Sequence, residues 1–189
     1  MKYLVAGLGN IGDEYQDTRH NIGFTILDAL ARASKIAFTE KRYGSIAEYR
    51  FKGRVFLLLK PSTYVNLSGK AVNYWLGKEA IEPSNLLVLV DDLALPFGTI
   101  RIRPRGGDGG HNGLASIIQV LGLQEFARLR FGIGGDFPYG MQVEYVLSKW
   151  TNEESVQLPT RVGICLEIIR SFGTAGLDKT MNLYNNRDV

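Results

Sequence analysis

The sequence predicts an α/β protein: one domain, residues 1–189, with a twisted mixed β-sheet surrounded by helices. Three observations predict it. Short runs of Val, Ile, Leu, Phe and Tyr alternate with stretches whose apolar residues recur every three or four positions. The composition, 45% hydrophobic and 22% charged over 189 residues, is that of a globular chain large enough for a full core. The hairpin-like segments 46–60 and 98–103 indicate that the sheet is not all parallel.

Taken in order, the strands are expected at 3–7, 46–51, 54–60, 86–91, 98–103 and 128–134, each bounded by Gly, Pro or Asn. Helices are expected between some of them. Over 21–33, Ile22, Ile26 and Leu30 repeat at four-residue spacing with Leu27 alongside. Over 68–80, Val72, Trp75 and Leu76 form a stripe, and over 112–121 so do Leu114, Ile117, Ile118 and Leu121. A last helix, about 153–172, carries Leu158, Val162, Cys165, Leu166, Ile169 and Phe172. No repeat, low-complexity tract or linker interrupts the pattern.

Composition excludes several classes of function. Cys165 is the one cysteine, so internal disulfides and paired-cysteine metal sites are excluded. Its place on the apolar face of the last helix marks it as core rather than nucleophile. Two histidines without an HExxH spacing leave no recognisable metal site. No apolar run is long enough to cross a bilayer and none reads as a signal peptide, so a cytoplasmic protein is expected. The net charge of +3 permits a nucleic-acid partner without requiring one.

The first strand leads into "GLGNIGDEYQDTRHNIG", in which Gly7, Gly9 and Gly12 fit the spacing G-x-G-x-x-G. A dinucleotide site would need the third glycine to open a helix at once and an acid at the end of a second strand. Here Asp13-Glu14-Tyr15 follows Gly12, and the acid at suitable distance, Asp28, lies inside the next helix. The glycines are therefore expected to form a tight turn that leaves Asn10 facing a cleft.

Asn10, Asn66 and Asp91 all follow or end strands, where α/β sheets bind ligands. His20, Asn66 and Asn112 each stand just before a helical stripe, beside unpaired N–H groups and a positive dipole end. Polar groups from distant parts of the chain are thus expected to converge on one edge. His20 has polar neighbours, Thr18, Arg19 and Asn21, and the helix start is expected to favour its neutral imidazole, the form a general base requires. Asp91 would fix its tautomer, as the acid does in hydrolytic triads. His111, in "RPRGGDGGHNGL", reads either as part of a mobile turn or as part of a loop that approaches a ligand closely. Arg101 and Arg103 share one strand face, and Arg128 and Arg130 another. They form either a solvated face or, if the strands are neighbours, a guanidinium patch suited to phosphate.

Six stretches in order, "GLGN", "EYQDTRHNIGF", "KPSTYVNLSGKAV", "VDDLALPFG", "GGDGGHNGL" and "RLRFGIGG", closely resemble the bacterial-type peptidyl-tRNA hydrolase family. The resemblance implies hydrolysis of the ester between a peptide and the terminal ribose of tRNA, by a monomer with no cofactor and no metal. It implies a catalytic histidine at His20, its aspartate partner at Asp91, and asparagines at Asn10, Asn66 and Asn112 that bind peptide or position water. It implies a tRNA phosphate clamp at Arg103 and Arg130, and a site tyrosine at Tyr15. The chain departs from the family pattern at Ile11, Val65, Val90, Ala94 and Asp108, where proline, methionine, histidine, aspartate and histidine are frequent. None of these removes a proposed catalytic group. Ala94 and Asp108 bear on local electrostatics and tRNA binding. Two other readings are a non-catalytic RNA-binding relative of the same fold and a nucleotide-binding oxidoreductase. The intact base–carboxylate pair argues against the first, and the glycine spacing discussed above against the second.

Overall fold

The computed structural model describes residues 1–185. Residues 186–189, included above in the one expected domain, lie outside the described residues. Seven strands form one mixed sheet: β1 Lys2–Gly7, β2 Thr39–Lys41, β3 Gly44–Phe51, β4 Arg54–Pro61, β5 Leu86–Asp92, β6 Ile100–Arg103 and β7 Ala127–Gly132. Their spatial order is β2-β3-β4-β1-β5-β7-β6. β4, β1, β5 and β7 run parallel, while β3 pairs antiparallel with β4 and β6 antiparallel with β7. The helices are α1 Ile22–Ala33, α2 Ser68–Glu79, α3 Asn112–Leu121, α4 Gln142–Val146, α5 Asn152–Ala175 and α6 Leu177–Tyr184. No helix among the described residues is long and apolar enough to cross a membrane.

The continuous apolar strands follow from burial on both faces. Along β1, Tyr3 and Val5 face a core built with Ile22, Ile26, Leu27 and Leu30 of α1 and Cys165, Ile169 and Phe172 of α5. Leu4 and Ala6 face the other core, with Val72 and Trp75 of α2 and Leu114 and Ile117 of α3. Along β5, Leu87 and Leu89 face the first core, and Leu86, Val88 and Val90 the second. Cys165 is buried in the first core, as its stripe predicts, and burial pushes its thiol pKa up. Val90, one of the departures, points into the second core and contributes apolar packing there.

Three elements carry no pattern that the sequence reading detects. β2 is three exposed residues, α4 is five residues long, and α6 is a short, largely polar extension beyond the long helix. The hairpin-like segment 98–103 contributes one strand, β6, whose antiparallel partner is β7.

The parallel arrangement puts the carboxyl ends of β4, β1, β5 and β7 on one edge. α1 covers one face after β1, and α2 covers the other before β5. The crevice beyond β1 and β5 is therefore where the connections diverge, the place α/β folds open toward ligands. The opening glycines serve this packing. A Cβ on Gly7 would lie 2.4 Å from the Gly23 carbonyl oxygen, and one on Gly23 would lie 2.4 Å from the Leu8 nitrogen. α1 thus lies directly on the backbone of β1, and His20, two residues before α1, is held over the strand end. Gly12, at φ 116°, turns the chain in a conformation that L side chains rarely adopt. Gly7 and Gly23 close the strand-to-helix contact, while Gly12 turns the chain into the short 3-10 turn Asp13–Tyr15 rather than into an α-helix.

Gly23→Ala is expected to cost about 1–3 kcal/mol through this overpacking. Gly163→Ala, in α5 where an added Cβ meets nothing within 4 Å, should stabilise by about 0.5–1 kcal/mol through helix propensity. Paired denaturant-unfolding curves of the two variants check the contrast.

Candidate active site

His20 sits in a 3-10 turn, Arg19–Asn21, that runs into α1. Asp91 is the sixth residue of β5 and is buried, as a strand end under a covering helix requires. The turn brings the two together: the His20 ring nitrogen Nδ1 lies 2.9 Å from Asp91 Oδ1 and 3.0 Å from Oδ2. Burial alone would raise the Asp91 pKa, but the charges and hydrogen bonds of His111 and His20 outweigh it and hold the carboxyl well below the usual carboxylate range. An ionised carboxylate only accepts, so Nδ1 of His20 carries the proton and donates it. Nε2 is then the unprotonated nitrogen available to the cleft that His20 lines.

The protonation of His20 differs from the sequence expectation. Burial pulls its pKa down, but the hydrogen bond and the charge of Asp91 outweigh that, and the net shift is upward from 6.5. A full negative charge in direct contact dominates the partial charge of a helix end. The imidazole is thereby made a stronger base, at the expense of a larger protonated fraction near neutrality.

Asp91 has a second partner. His111 Nε2 lies 2.9 Å from Asp91 Oδ1, and the two imidazole centroids are 5.0 Å apart. His111 is also the N-cap of α3: its Nδ1 accepts from the backbone N–H groups of Gly113 at 3.1 Å and Leu114 at 3.4 Å. The glycine-rich loop is shaped to deliver it. Asp108 Oδ1 accepts from Gly110 N at 2.7 Å, and its carbonyl accepts from His111 N at 2.9 Å. Gly109 and Gly110 both take positive φ. Asp108, flagged above as a departure, therefore forms an Asx turn in the loop. The sequence reading left His111 open between a turn and a ligand contact; the signal available was its position immediately before a helical stripe.

The asparagines gather at the same cleft. Asn10 follows β1, Asn66 sits in the 3-10 turn Val65–Leu67 before α2, and Asn112 is the first residue of α3; all three line it. Asn10 Oδ1 accepts from Val65 N at 3.0 Å, which fixes the orientation of its amide and leaves Nδ2 as its free donor. Asn21, unassigned by the sequence reading, holds Asn10 in place: its side chain accepts from Asn10 N at 2.9 Å and donates to Asn10 O at 2.8 Å. Tyr15 behaves differently. It lies half-buried in the 3-10 turn Asp13–Tyr15, which Gly12 bends, and it is not among the residues lining the cleft.

The cleft encloses about 790 Å³. One wall is apolar, built from Leu93, Val143, Val146 and Leu147. Arginines line the cleft too: β6 and β7 are neighbours, so Arg101, Arg103, Arg128 and Arg130 share a face, and of these Arg103, Arg128 and Arg130 reach it. Their roles separate. Arg128 is buried and donates to the carbonyls of Gly106, Gly107, Gln124 and Phe126, so it pins the glycine loop. Its pKa is lowered, by burial first and by the nearby charge of Arg130 second. Arg130 Nε donates to Asp92 Oδ2, whose other oxygen accepts from Ala94 N at 2.8 Å. Arg103 and Arg105 are exposed at the cleft rim. Arg105 is a cation the sequence reading did not single out.

Arg19, adjacent to His20, is buried. It donates to Ser148 Oγ and the Lys149 carbonyl, and pairs with Glu154 Oε2 at 2.7 Å. The same Glu154 oxygen accepts from Thr151 N and completes the capping box that starts α5. The guanidinium also lies over the rings of Tyr145 and Trp150. Across the cleft floor, His20, Asp91 and His111 place potential ligand atoms within 4.8 Å of one another. Ligation of a metal through His111 Nε2 would move its proton to Nδ1, against two backbone N–H donors, so this cluster suits a hydrogen-bonded array better than a cation.

The fold and this cleft define a class: an α/β enzyme with a histidine–carboxylate pair for acid–base chemistry at the carboxyl ends of its central strands. The comparisons narrow it. The family model for peptidyl-tRNA hydrolase matches residues 4–189. A peptidyl-tRNA hydrolase of Phocaeicola vulgatus is 58% identical over 187 residues, spanning 99% of this chain and 100% of that protein. One from Porphyromonas gingivalis is 55% identical over 185 residues, spanning 98% and 100%. The crystal structure of peptidyl-tRNA hydrolase from Acinetobacter baumannii superposes with a TM-score of 0.91 at 32% identity, covering 97% of this chain and 94% of that one. The chain belongs to the peptidyl-tRNA hydrolase family.

The His20–Asp91 contact sets a pH dependence. The raised His20 pKa contributes stability that is fully present below 6.5 and is lost as pH rises through the folded value. The depressed Asp91 pKa contributes stability present above 3.8 and lost as pH falls through its folded value. NMR titration of the His20 ring is expected to give a pKa above 6.5, and Asp91→Asn should bring it below, because burial then acts without the opposing charge.

Proposed function

We propose that His20 is the general base in this chain's reaction, the hydrolysis of the ester that joins a peptide to the terminal ribose of tRNA. The observation that carries this reading is the His20 ring at the cleft floor, with Nδ1–H on Asp91 and Nε2 left open. Nε2 takes a proton from water, and the water oxygen attacks the ester carbonyl. The imidazolium that forms is stabilised by Asp91. The tetrahedral oxyanion requires hydrogen-bond donors, and the free Nδ2 of Asn10 is assigned to it as the leading candidate. When the intermediate collapses, the ribose oxygen leaves and takes the proton back from His20. An alkoxide is a far better leaving group than an amide anion, so no covalent intermediate is required.

Asn66 and Asn112 are assigned to the peptide backbone and the attacking water, which sets their orientation before reaction. This also gives selectivity. An acylated nitrogen presents a neutral amide that pairs with asparagine side chains. A free ammonium leaves those groups mismatched once bound peptide covers Asn66 and Asn112, which are exposed in the open cleft, at about 1–3 kcal/mol per group left unpaired.

The exposed Arg103 and the half-buried Arg130 are assigned to a tRNA phosphate, with unequal weight, because Arg130 already holds Asp92. Tyr15 does not line the cleft, so its assignment is the least supported by its position. We further propose that the chain acts as a one-domain monomer in the cytoplasm, in keeping with a substrate made during translation.

His20→Ala is expected to lower single-turnover hydrolysis of N-acetylaminoacyl-tRNA by about 10²–10⁴-fold with tRNA binding retained. Cleavage near the wild-type rate would remove His20 from the role. For tRNA binding followed against salt, Arg103→Ala should flatten the slope by about one unit. Arg130→Ala should change it less, because its guanidinium is already paired with Asp92. Equal slopes in both variants and wild type would return these arginines to a solvated surface.

A further inference from the structure

The reaction as assigned above uses one imidazole, yet the carboxylate behind it is shared by two. We propose that His111 is a positioning residue for the reaction: clamped by the N-terminus of α3, it holds the Asp91 carboxylate in register with His20. This inference rests on the general-base role of His20.

Four contacts carry it. His111 reaches Asp91 Oδ1 with Nε2 at 2.9 Å, matching the 2.9 Å from His20 Nδ1 to the same oxygen. Its other ring nitrogen accepts from two backbone N–H groups of α3. Those donors require a lone pair on Nδ1, so the single ring proton of the neutral imidazole resides on Nε2, where it is donated to Asp91. The cap thus selects the tautomer that the carboxylate needs. The side chain is nearly buried, at 9% exposure, so water competes little for either bond.

The consequence for Asp91 is geometric and electrostatic. A carboxylate held by His20 alone could rotate about its last side-chain bond and present either oxygen to Nδ1. A second donor on Oδ1, fixed to a helix, removes that freedom. It also draws negative charge from the oxygen that His20 contacts, which moderates the upward pull of Asp91 on the His20 pKa. Apart from the exposed Arg103 and Arg105 at the cleft rim, the other charged groups around this cluster have partners of their own. Arg19 points to Glu154, Asp92 pairs with Arg130, Arg128 holds backbone carbonyls, and the Asp108 carboxylate holds Gly110 N. The His111–Asp91 bond is therefore the contact through which α3 acts on the base. Asn112, the next residue, stands on the same helix end, so one rigid element sets both the carboxylate and a cleft asparagine.

A histidine that merely caps a helix would be replaced without loss by asparagine, a preferred N-cap residue whose side-chain oxygen accepts from the same N–H groups. Asparagine is too short to bridge on to Asp91. His111→Asn therefore separates the two roles. The expected result is kcat lowered by at least about 10-fold with KM little changed, the acid limb of the kcat–pH profile displaced to higher pH, and a thermal stability that falls only by the loss of one Asp91 donor, the cap being kept. His111→Ala should lose more stability, because the cap goes too. Wild-type kcat and an unmoved limb in His111→Asn would overturn the proposal, as would a loss of kcat that tracks a loss of stability with the limb in place. Should His111→Asn fold poorly, 15N correlation spectra of the wild-type histidines decide the matter. The expected pattern is a proton on Nε2 of His111 and on Nδ1 of His20, and a proton on Nδ1 of His111 would overturn the proposal. His20→Ala, run in the same assay, keeps the two readings apart: if it remains active the general-base role fails, whereas if it is inactive and His111→Asn is normal only the positioning role fails.

Discussion

A buried carboxylate that accepts from two imidazoles is the constraint around which this protein is arranged. An ionised Asp91 in the interior is tolerable only while each of its donors is in place, since an uncompensated buried charge is costly. One donor comes from the turn before α1 and the other from the loop before α3. The positions of two helices on opposite faces of the sheet are thereby tied to one side chain on β5. The fold supplies the rest: parallel strands put β1 and β5 side by side, and their carboxyl ends open on the same crevice.

The cleft also shows how polar side chains are committed before any substrate arrives. Asn10 gives its oxygen to Val65 N, Asn21 gives both ends of its amide to the Asn10 backbone, and Arg128 gives its guanidinium to loop carbonyls. Among the described residues lining the cleft, the groups left uncommitted include Nε2 of His20, Nδ2 of Asn10, the amides of Asn66 and Asn112, and the guanidinium groups of Arg103 and Arg105. Preorganisation of this kind places the cost of ordering in folding rather than in the reaction.

Much of the architecture was legible in the chain. Apolar runs such as Leu86–Val90 and stripes such as Ile22, Ile26 and Leu30 are long-range signals that both faces of a sheet are covered. The convergence of Asn10, His20, Asn66, Asp91 and Asn112 was legible too, because each stands at a strand end or just before a helix. Other features depend on atoms brought together only by folding. The alternation of arginines is the same at Arg128 and Arg130, but Arg128 is drawn under the glycine loop by carbonyls that no local pattern announces. The upward shift of the His20 pKa comes from a contact 71 residues away in sequence. Tyr15 fits a motif by spacing, yet the turn that Gly12 imposes keeps it off the cleft wall. β2 and α4 are too short for periodicity to register.

Arg19 gives the cleft a further property. The segment from Tyr145 to Glu154, part of which follows the apolar wall, wraps this guanidinium with a hydroxyl, a carbonyl, a carboxylate and two rings. Grafting that wall from a relative cannot be done residue by residue. Ser148, Trp150 and Glu154 would have to travel with it, or a cation would be stranded in the interior one position away from the imidazole. The apolar wall and the histidine turn thus form a single module for exchange, although 129 residues separate Arg19 from Ser148 in the chain.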